Sequence, residues 1–350
     1  MLIGLFAIFA ILIFLSLIEE YLDGKNKTFA YLMIGIVLIL YSGLRPVGFD
    51  RDSPNYEMMF MHPESKEATV SVEPFFLWIC DVCSIVMQDV RIILVIFACI
   101  GVTLKLYAIK RLTPLYFLPL VIYFGNFYFL HENTQIRAGI ASGIFLIAVS
   151  FMANDKKILA FATIALACMF HYSALTLLPL LLLDNKPMGK VKKLAFASIV
   201  PACFILYFLN IDLLTTLPIP YVTDKVEGYK AASEFGRFAQ NSILHPFQLI
   251  KMAVFLYFIY FSDTIVKYVP SIHLLIKILG CSLIAYFAFS SITIISTRIS
   301  ELYGIVEIVA YPCIAYTIKP KVVGKLIICT IAIIEIFFNT MVWDFFDFKV

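Results

Sequence analysis

Long apolar runs broken by short polar stretches organise the whole chain. A helical span takes about 20 residues, with somewhat shorter ones allowed. Runs of that kind cover residues 1–18, 29–44, 92–109, 115–130, 137–153, 194–214, 247–262, 272–292, 299–318 and 326–343. Two stretches are irregular. Residues 74–88 are short and interrupted by Asp81, which predicts a re-entrant or interfacial helix. Residues 158–183 are too long for one ordinary span: a straight helix of about 26 residues runs about 39 Å, against a hydrocarbon core of about 30 Å. This segment carries His171 at its midpoint and is expected to enter and return as two short helices broken there. The pattern predicts an all-α integral membrane protein, a polytopic bundle of about twelve or more spans plus re-entrant helices. It forms a single transmembrane domain over residues 1–350.

Positive charge in short loops sets orientation. The densest basic loop, Lys186, Lys190, Lys192 and Lys193, is assigned to the cytoplasm. Alternation then brings Lys25 and Lys27, the group Lys105, Lys110 and Arg111, Lys156 and Lys157, Lys267, and Lys319, Lys321 and Lys325 to the same side. The two long polar loops, 45–73 and 215–246, become extracytoplasmic, with the turn 131–136, the segment 293–298 and the tip at His171. Both termini lie outside as well. The first run lacks a basic leader and a small-residue cleavage site and is expected to be a retained span.

Composition narrows the classes. Of 350 residues, 62% are hydrophobic and 15% charged, and mean hydropathy is +0.94. Soluble domains are about half apolar and a quarter charged, so this chain requires lipid as solvent. A net charge of +3 gives no footprint for nucleic acid. All eight cysteines lie in apolar segments. Cys80 and Cys83 form a C-x-x-C without the neighbouring βαβ unit or second pair that redox or zinc chemistry needs, so they are read as buried helix residues.

Four polar clusters stand out. In SGLRPVGFDRDSPNY, Arg45 sits at a membrane boundary, Pro46 and Gly48 turn the chain, and Asp50 and Asp52 follow. The alternative is an interfacial anchor in an ordinary polar loop. The Asp50-Arg51-Asp52 match to a metal-holding D-x-D is weak, because nucleotide sugars are absent outside the cytoplasm. In FYFLHENTQIRAGIASG, His131, Glu132 and Arg137 occupy one turn at the membrane surface, and Gly139 and Gly143 permit close helix packing. In MFHYSALTLLP, His171 is an intramembrane ionisable group, a functional candidate by default, with a bond to Ser173 as the plain alternative. In ISTRISELYGIVEIVAYP, Arg298 begins a span, Glu301 lies one turn further in and Glu307 deeper still. Within 215–246, Arg237 and His245 approach the next span. Arg45, Arg137 and Arg298 are expected on one face, where guanidinium forks suit diphosphate oxygens.

Together, LRPVGFDRDSPNY, QIRAGIASG, FHYSALTLLP and STRISELYG resemble the EpsG-like family of polysaccharide polymerases, related in role to Wzy O-antigen polymerases. Arg45, Gly48 and Asp50 look like the family's R-x-x-G-x-D. Phe170, His171, Ser173 and Ala174 look like its F-H-x-S-A, and Arg298, Ile299, Ser300, Leu302 and Tyr303 like its R-[IL]-S-x-[YL]-[YF]. Its R-Q is altered in order to Gln135-Ile136-Arg137. The resemblance implies a GT-C-like fold and a bacterial inner-membrane glycosyltransferase acting on undecaprenyl-diphosphate-linked oligosaccharide. In that reading Asp50, Glu132 or His171 is the general base. Arg45, Arg137 and Arg298, with Asp52, Tyr56, Gln135, Glu301 and Tyr303, bind diphosphate or glycan, and no metal or other cofactor is required. A chain-length regulator protein is an expected partner. The competing classes are a flippase for lipid-linked glycans, which needs a polar path through the midplane, and a transferase that modifies a surface glycan.

Overall fold

The computed structural model describes residues 2–62, 72–209, 246–290 and 293–342. All regular elements among them are helical. In lipid the backbone N–H and C=O groups have no water to pair with, so a spanning segment must satisfy them internally. Eight helical stretches among the described residues are long and apolar enough to cross a membrane, and five shorter apolar helices accompany them. The chain is a multi-pass membrane protein. Most of the polar loop 215–246 lies outside the described residues.

In chain order the helices are α1 (Leu2–Ile18), α2 (Gly24–Gly43), α3 (Ser53–Met61), α4 (Pro74–Val86), α5 (Arg91–Leu112) and α6 (Phe117–Ile122). Helix α6 continues through π-helical turns at Tyr123–Phe127 and Phe129–Thr134. Then come α7 (Ile136–Ala153), α8 (Lys157–Phe170), a 3₁₀ stretch Tyr172–Leu182, α9 (Lys190–Ala197), α10 (Ile199–Phe208), α11 (Pro246–Ile265), α12 (Ile272–Ala288), α13 (Thr293–Gly304), α14 (Glu307–Ala310) and α15 (Lys321–Phe337). The described chain divides into two compact units, residues 1–181 with 308–350, and residues 182–307.

In the first unit α5 packs between α2 and α7, α7 also packs on α8, and α6 lies against α1 and α15. The small-residue stripe on α7 works as expected: a Cβ on Gly143 would stand 2.9 Å from the Leu104 Cβ. One end of the unit is basic. There Glu19 accepts the backbone N–H groups of Tyr116 and Phe117 at 3.0 Å each, and Glu20 faces Lys321 and Lys325 at 3.7 and 3.6 Å. Lys110 covers the Tyr116 ring and Arg111 the Phe151 ring. These contacts gather the α1–α2, α5–α6 and α7–α8 turns with the start of α15.

Helix α4 has 13 residues, about 20 Å at 1.5 Å per residue, which is short of a full crossing as its sequence predicts. Phe76, Ile79, Cys80 and Cys83 form its buried stripe, while Trp78, Val82, Ile85 and Val86 are exposed. Such a helix faces protein on one side and lipid on the other. The break at His171 is also present: α8 ends at Phe170, and His171 is extended at φ −156°, ψ 120°. The expected return as a paired hairpin is not seen: the two halves do not pack side by side.

The second unit is built from α9 to α13. Lys277 of α12 donates to the Asp184 carboxylate at 2.5 Å and to the Asp184 backbone oxygen at 2.7 Å, tying down the strand of chain before α9. Ser282 of α12 donates to the Ser300 backbone oxygen at 2.6 Å, joining α12 to α13. Lys251 of α11 pairs with Glu307 at 2.7 Å.

Candidate functional site

The end of the first unit opposite the basic turns collects the polar motifs. After α2 the chain turns through Arg45 to Ser53, with Gly48 at φ 87°, a left-handed conformation that glycine adopts without strain. Arg45 is fully buried. Its Nε donates to Asp50 at 2.8 Å, its Nη1 to the Ser42 backbone oxygen at 2.7 Å and its Nη2 to that of Asn133. The other Asp50 oxygen accepts the N–H groups of Asp52 and Ser53 at 3.0 and 2.9 Å, which organises the start of α3. Tyr56 on α3 donates to the Thr134 backbone oxygen at 2.9 Å. Arg45 and Asp50 therefore fasten the 45–53 turn to the end of the π-helical segment.

Beneath this clasp lies a second buried pair. Lys105 Nζ donates to Glu132 at 2.6 Å and to the Gly139 backbone oxygen at 2.7 Å, and the Tyr123 hydroxyl donates to the same carboxylate at 2.8 Å. The π-helical turns swing His131 and Glu132 inward. Close packing depends on glycine here, since a Cβ on Gly139 would collide with the His131 backbone oxygen. Two expectations are corrected. Lys105 is not a loop cation but the core partner of Glu132, and His131 and Glu132 are buried rather than set at the membrane surface.

Arg137 is the second residue of α7. A cation at a helix N-terminus opposes the helix dipole and asks for an anion nearby. Glu73, just ahead of α4, supplies it: its Oε2 accepts from Arg137. The same carboxylate lies 2.8 Å from His171 Nδ1 and 3.2 Å from the Tyr172 N–H. Burial works against charge on Glu73, yet the His171 hydrogen bond and the Arg137 charge outweigh it and hold the carboxyl at about 2. The Arg137 guanidinium lies 5.4 Å from the centre of the Phe76 ring, and Phe75 packs on Phe170 below His171. The side chains of Arg137 and His171 remain 19% and 16% exposed, against 3% for Glu73. Two polar tips thus open outward from a sealed carboxylate. Gln135 and Asp52 are half-buried at the same end.

In the second unit Arg298 is exposed on α13, Glu301 is half-buried and Tyr303 is buried. Arg298 and Glu301 form no ion pair with each other. Glu307 is held by Lys251.

A family model for EpsG proteins matches residues 28–349. The chain belongs to the EpsG family. No curated protein and no solved structure matches it. EpsG-like proteins are similar to Wzy-type polymerases, and the coarse assignment that follows is a membrane protein of polysaccharide biosynthesis.

Within this EpsG-family chain, Arg45, Asp50, Asp52, Tyr56, Glu132, Gln135, Arg137 and His171 share one end of the first unit, and Arg298, Glu301 and Tyr303 share α13. Sequence reasoning missed Glu73, Lys105 and Lys251. Lys105 and Lys251 had a signal, an ionisable residue inside an apolar span. Glu73 had none, because it follows Glu64, Lys66 and Glu67 in a polar loop.

Proposed function

We propose that this protein is a metal-independent glycosyltransferase. It polymerises undecaprenyl-diphosphate-linked oligosaccharide repeat units into a surface polysaccharide at the outer face of the bacterial inner membrane. Its fold is GT-C-like, with about twelve crossings once the shorter helices are counted. The observation that carries this reading is the Arg137–Glu73–His171 cluster at the end of the first unit remote from the basic turns. Among the three candidate bases, Asp50 and Glu132 are sealed against Arg45 and Lys105, with side chains 0% and 1% exposed. His171 keeps an outward side.

The reaction balances as one displacement. The acceptor hydroxyl gives its proton to His171 Nε2, its oxygen bonds to the anomeric carbon of the donor, and the carbon–oxygen bond to the lipid diphosphate breaks with its electron pair on the diphosphate. Arg137 stabilises that growing negative charge, and the N-terminus of α7 favours an anion at the same place. Arg45 and Asp50 keep the loop that borders the site in shape. Arg298 is assigned the same class of ligand, an anionic phosphate or glycan group, with Glu301 and Tyr303 beside it on α13.

The test is transfer by the purified protein in nanodiscs supplied with the lipid-linked repeat unit alone. The expected products are lipid-linked chains of two or more units and one released lipid diphosphate per bond formed. A deletion strain is expected to carry single repeat units on its surface. Repeat units trapped at the cytoplasmic face would favour a flippase, and full-length chains lacking a substituent would favour a modifying transferase.

Orientation has its own test. In a cysteine-free background, single cysteines in loops 45–73 and 215–246 are expected to react with a membrane-impermeant thiol reagent in intact spheroplasts. Labelling only after lysis reverses the orientation and removes the outer-face mechanism.

A further inference from the structure

We infer that Glu73 is the positioning residue for His171, fixing the ring so that Nε2 is the nitrogen turned to the acceptor, while the same carboxylate braces Arg137. The inference rests on the reading of His171 as base. Glu73 is 3% exposed and cannot itself meet a glycan, so it acts through its two partners.

The geometry sets the tautomer. An ionised carboxylate only accepts hydrogen bonds, so the 2.8 Å contact with His171 Nδ1 makes Nδ1 the protonated nitrogen. In the neutral ring Nε2 then carries the lone pair. The Tyr172 N–H on the same oxygen locks the carboxylate to the backbone just past the α8 break, where the extended residue would otherwise leave the ring free to turn. Phe75 packs against Phe170, the residue just before His171. A histidine oriented by a buried carboxylate is the arrangement by which imidazole bases are steadied for proton transfer.

The charge count also suits the reaction. With the imidazole in the neutral form that a base requires, the carboxylate and guanidinium cancel. After proton transfer the cluster is net positive, beside a diphosphate that has just gained charge. The titratable and charged groups facing His171 are Glu73 ahead of α4, Arg137 on α7 and His131 in the π-helical turn. Glu73 is the only anion among these three, so its removal disfavours the imidazolium.

Glu73→Gln keeps the shape and one acceptor oxygen but loses the charge. Two readouts test the proposal on the full chain in nanodiscs. With ¹⁵N-histidine label, and H171Q to assign the signal among the five histidines, wild-type His171 is expected as the Nδ1–H tautomer, becoming mixed in E73Q. In the transfer assay E73Q is expected to slow the first bond formed by at least about tenfold. It also moves the acid limb of the pH profile to lower pH, because a ring that has lost its anion ionises less readily. Adding E73Q to H171Q is expected to slow transfer less than E73Q slows the wild type, because only the brace on Arg137 is left to lose, and Glu73→Asp is expected to restore the limb in part. An Nε2–H tautomer in the wild type, or an unchanged tautomer and acid limb in E73Q, overturns the proposal. So does a loss of folded protein in E73Q with an unchanged rate per folded molecule. The arms separate the two levels of inference. Polymerisation that survives in H171Q removes the base reading, whereas a slow H171Q beside a normal E73Q removes only the role of Glu73. If the wild type makes no polymer, the tautomer measurement still decides whether Glu73 holds His171.

Discussion

Arg137→Lys reduces polymerisation by about 10²-fold, the scale on which the loss of one aligned donor to a developing anion is felt, while the protein inserts normally. Lysine keeps the charge but lacks the planar fork. In the wild type one nitrogen of that fork answers Glu73, the guanidinium also reaches the Tyr56 hydroxyl, and the side chain keeps 19% exposure. A single ammonium beside Glu73 is neutralised there and has no second arm for a phosphate oxygen. The comparison variant is His171→Gln, which donates a hydrogen bond but takes no proton at neutral pH. Chain length in cells and the rate of the first transfer in nanodiscs check both. Wild-type rates for Arg137→Lys would remove it from the diphosphate.

The second large effect falls on stability. Lys105→Met leaves the Glu132 carboxylate buried without its cation, and breaking a buried pair in this way costs about 3–5 kcal/mol. The expected result is a marked fall in thermal midpoint in detergent and poor recovery from membranes. Glu132 also accepts from Tyr123, which offsets only part of the loss. The double variant Lys105→Met with Glu132→Gln removes both charges and is expected to recover most of the stability, because a neutral amide retains the Tyr123 hydrogen bond. If the double variant is as unstable as the single one, the pair is not what holds α5 to the π-helical turns.

Much of the architecture was legible from the chain itself. Apolar runs of span length can be satisfied in lipid only as helices, so residues such as those of α1, α2, α5 and α7 had one available structure. Asp81 and the short run around it marked α4 as an incomplete crossing, and the excess length of 158–183 with a histidine at its centre marked the break. The Pro46–Gly48 turn was also readable, since its residue types permit few backbone conformations. These features depend on local composition and on the thickness of the bilayer, which every segment meets independently.

Pairing across the fold was not readable in that way. Arg45 and Asp50 read as site residues and fold into a sealed clasp, because their partners at Ser42 and Asn133 come together only when α2 meets the π-helical turns. Lys105 read as a loop cation, yet tertiary packing offers it Glu132, 27 positions later in the chain, and a buried ion pair is stable only with both members present. Glu73 carried no local mark at all. It becomes a hub because α4, α7 and the α8 break bring Arg137 and His171, 64 and 98 residues away, onto one carboxylate. Sequence by itself determined where this protein enters lipid, since hydration is decided segment by segment. Only the tertiary structure decided which charges meet, because electrostatic partnership depends on distance in space and on the exclusion of water around the pair.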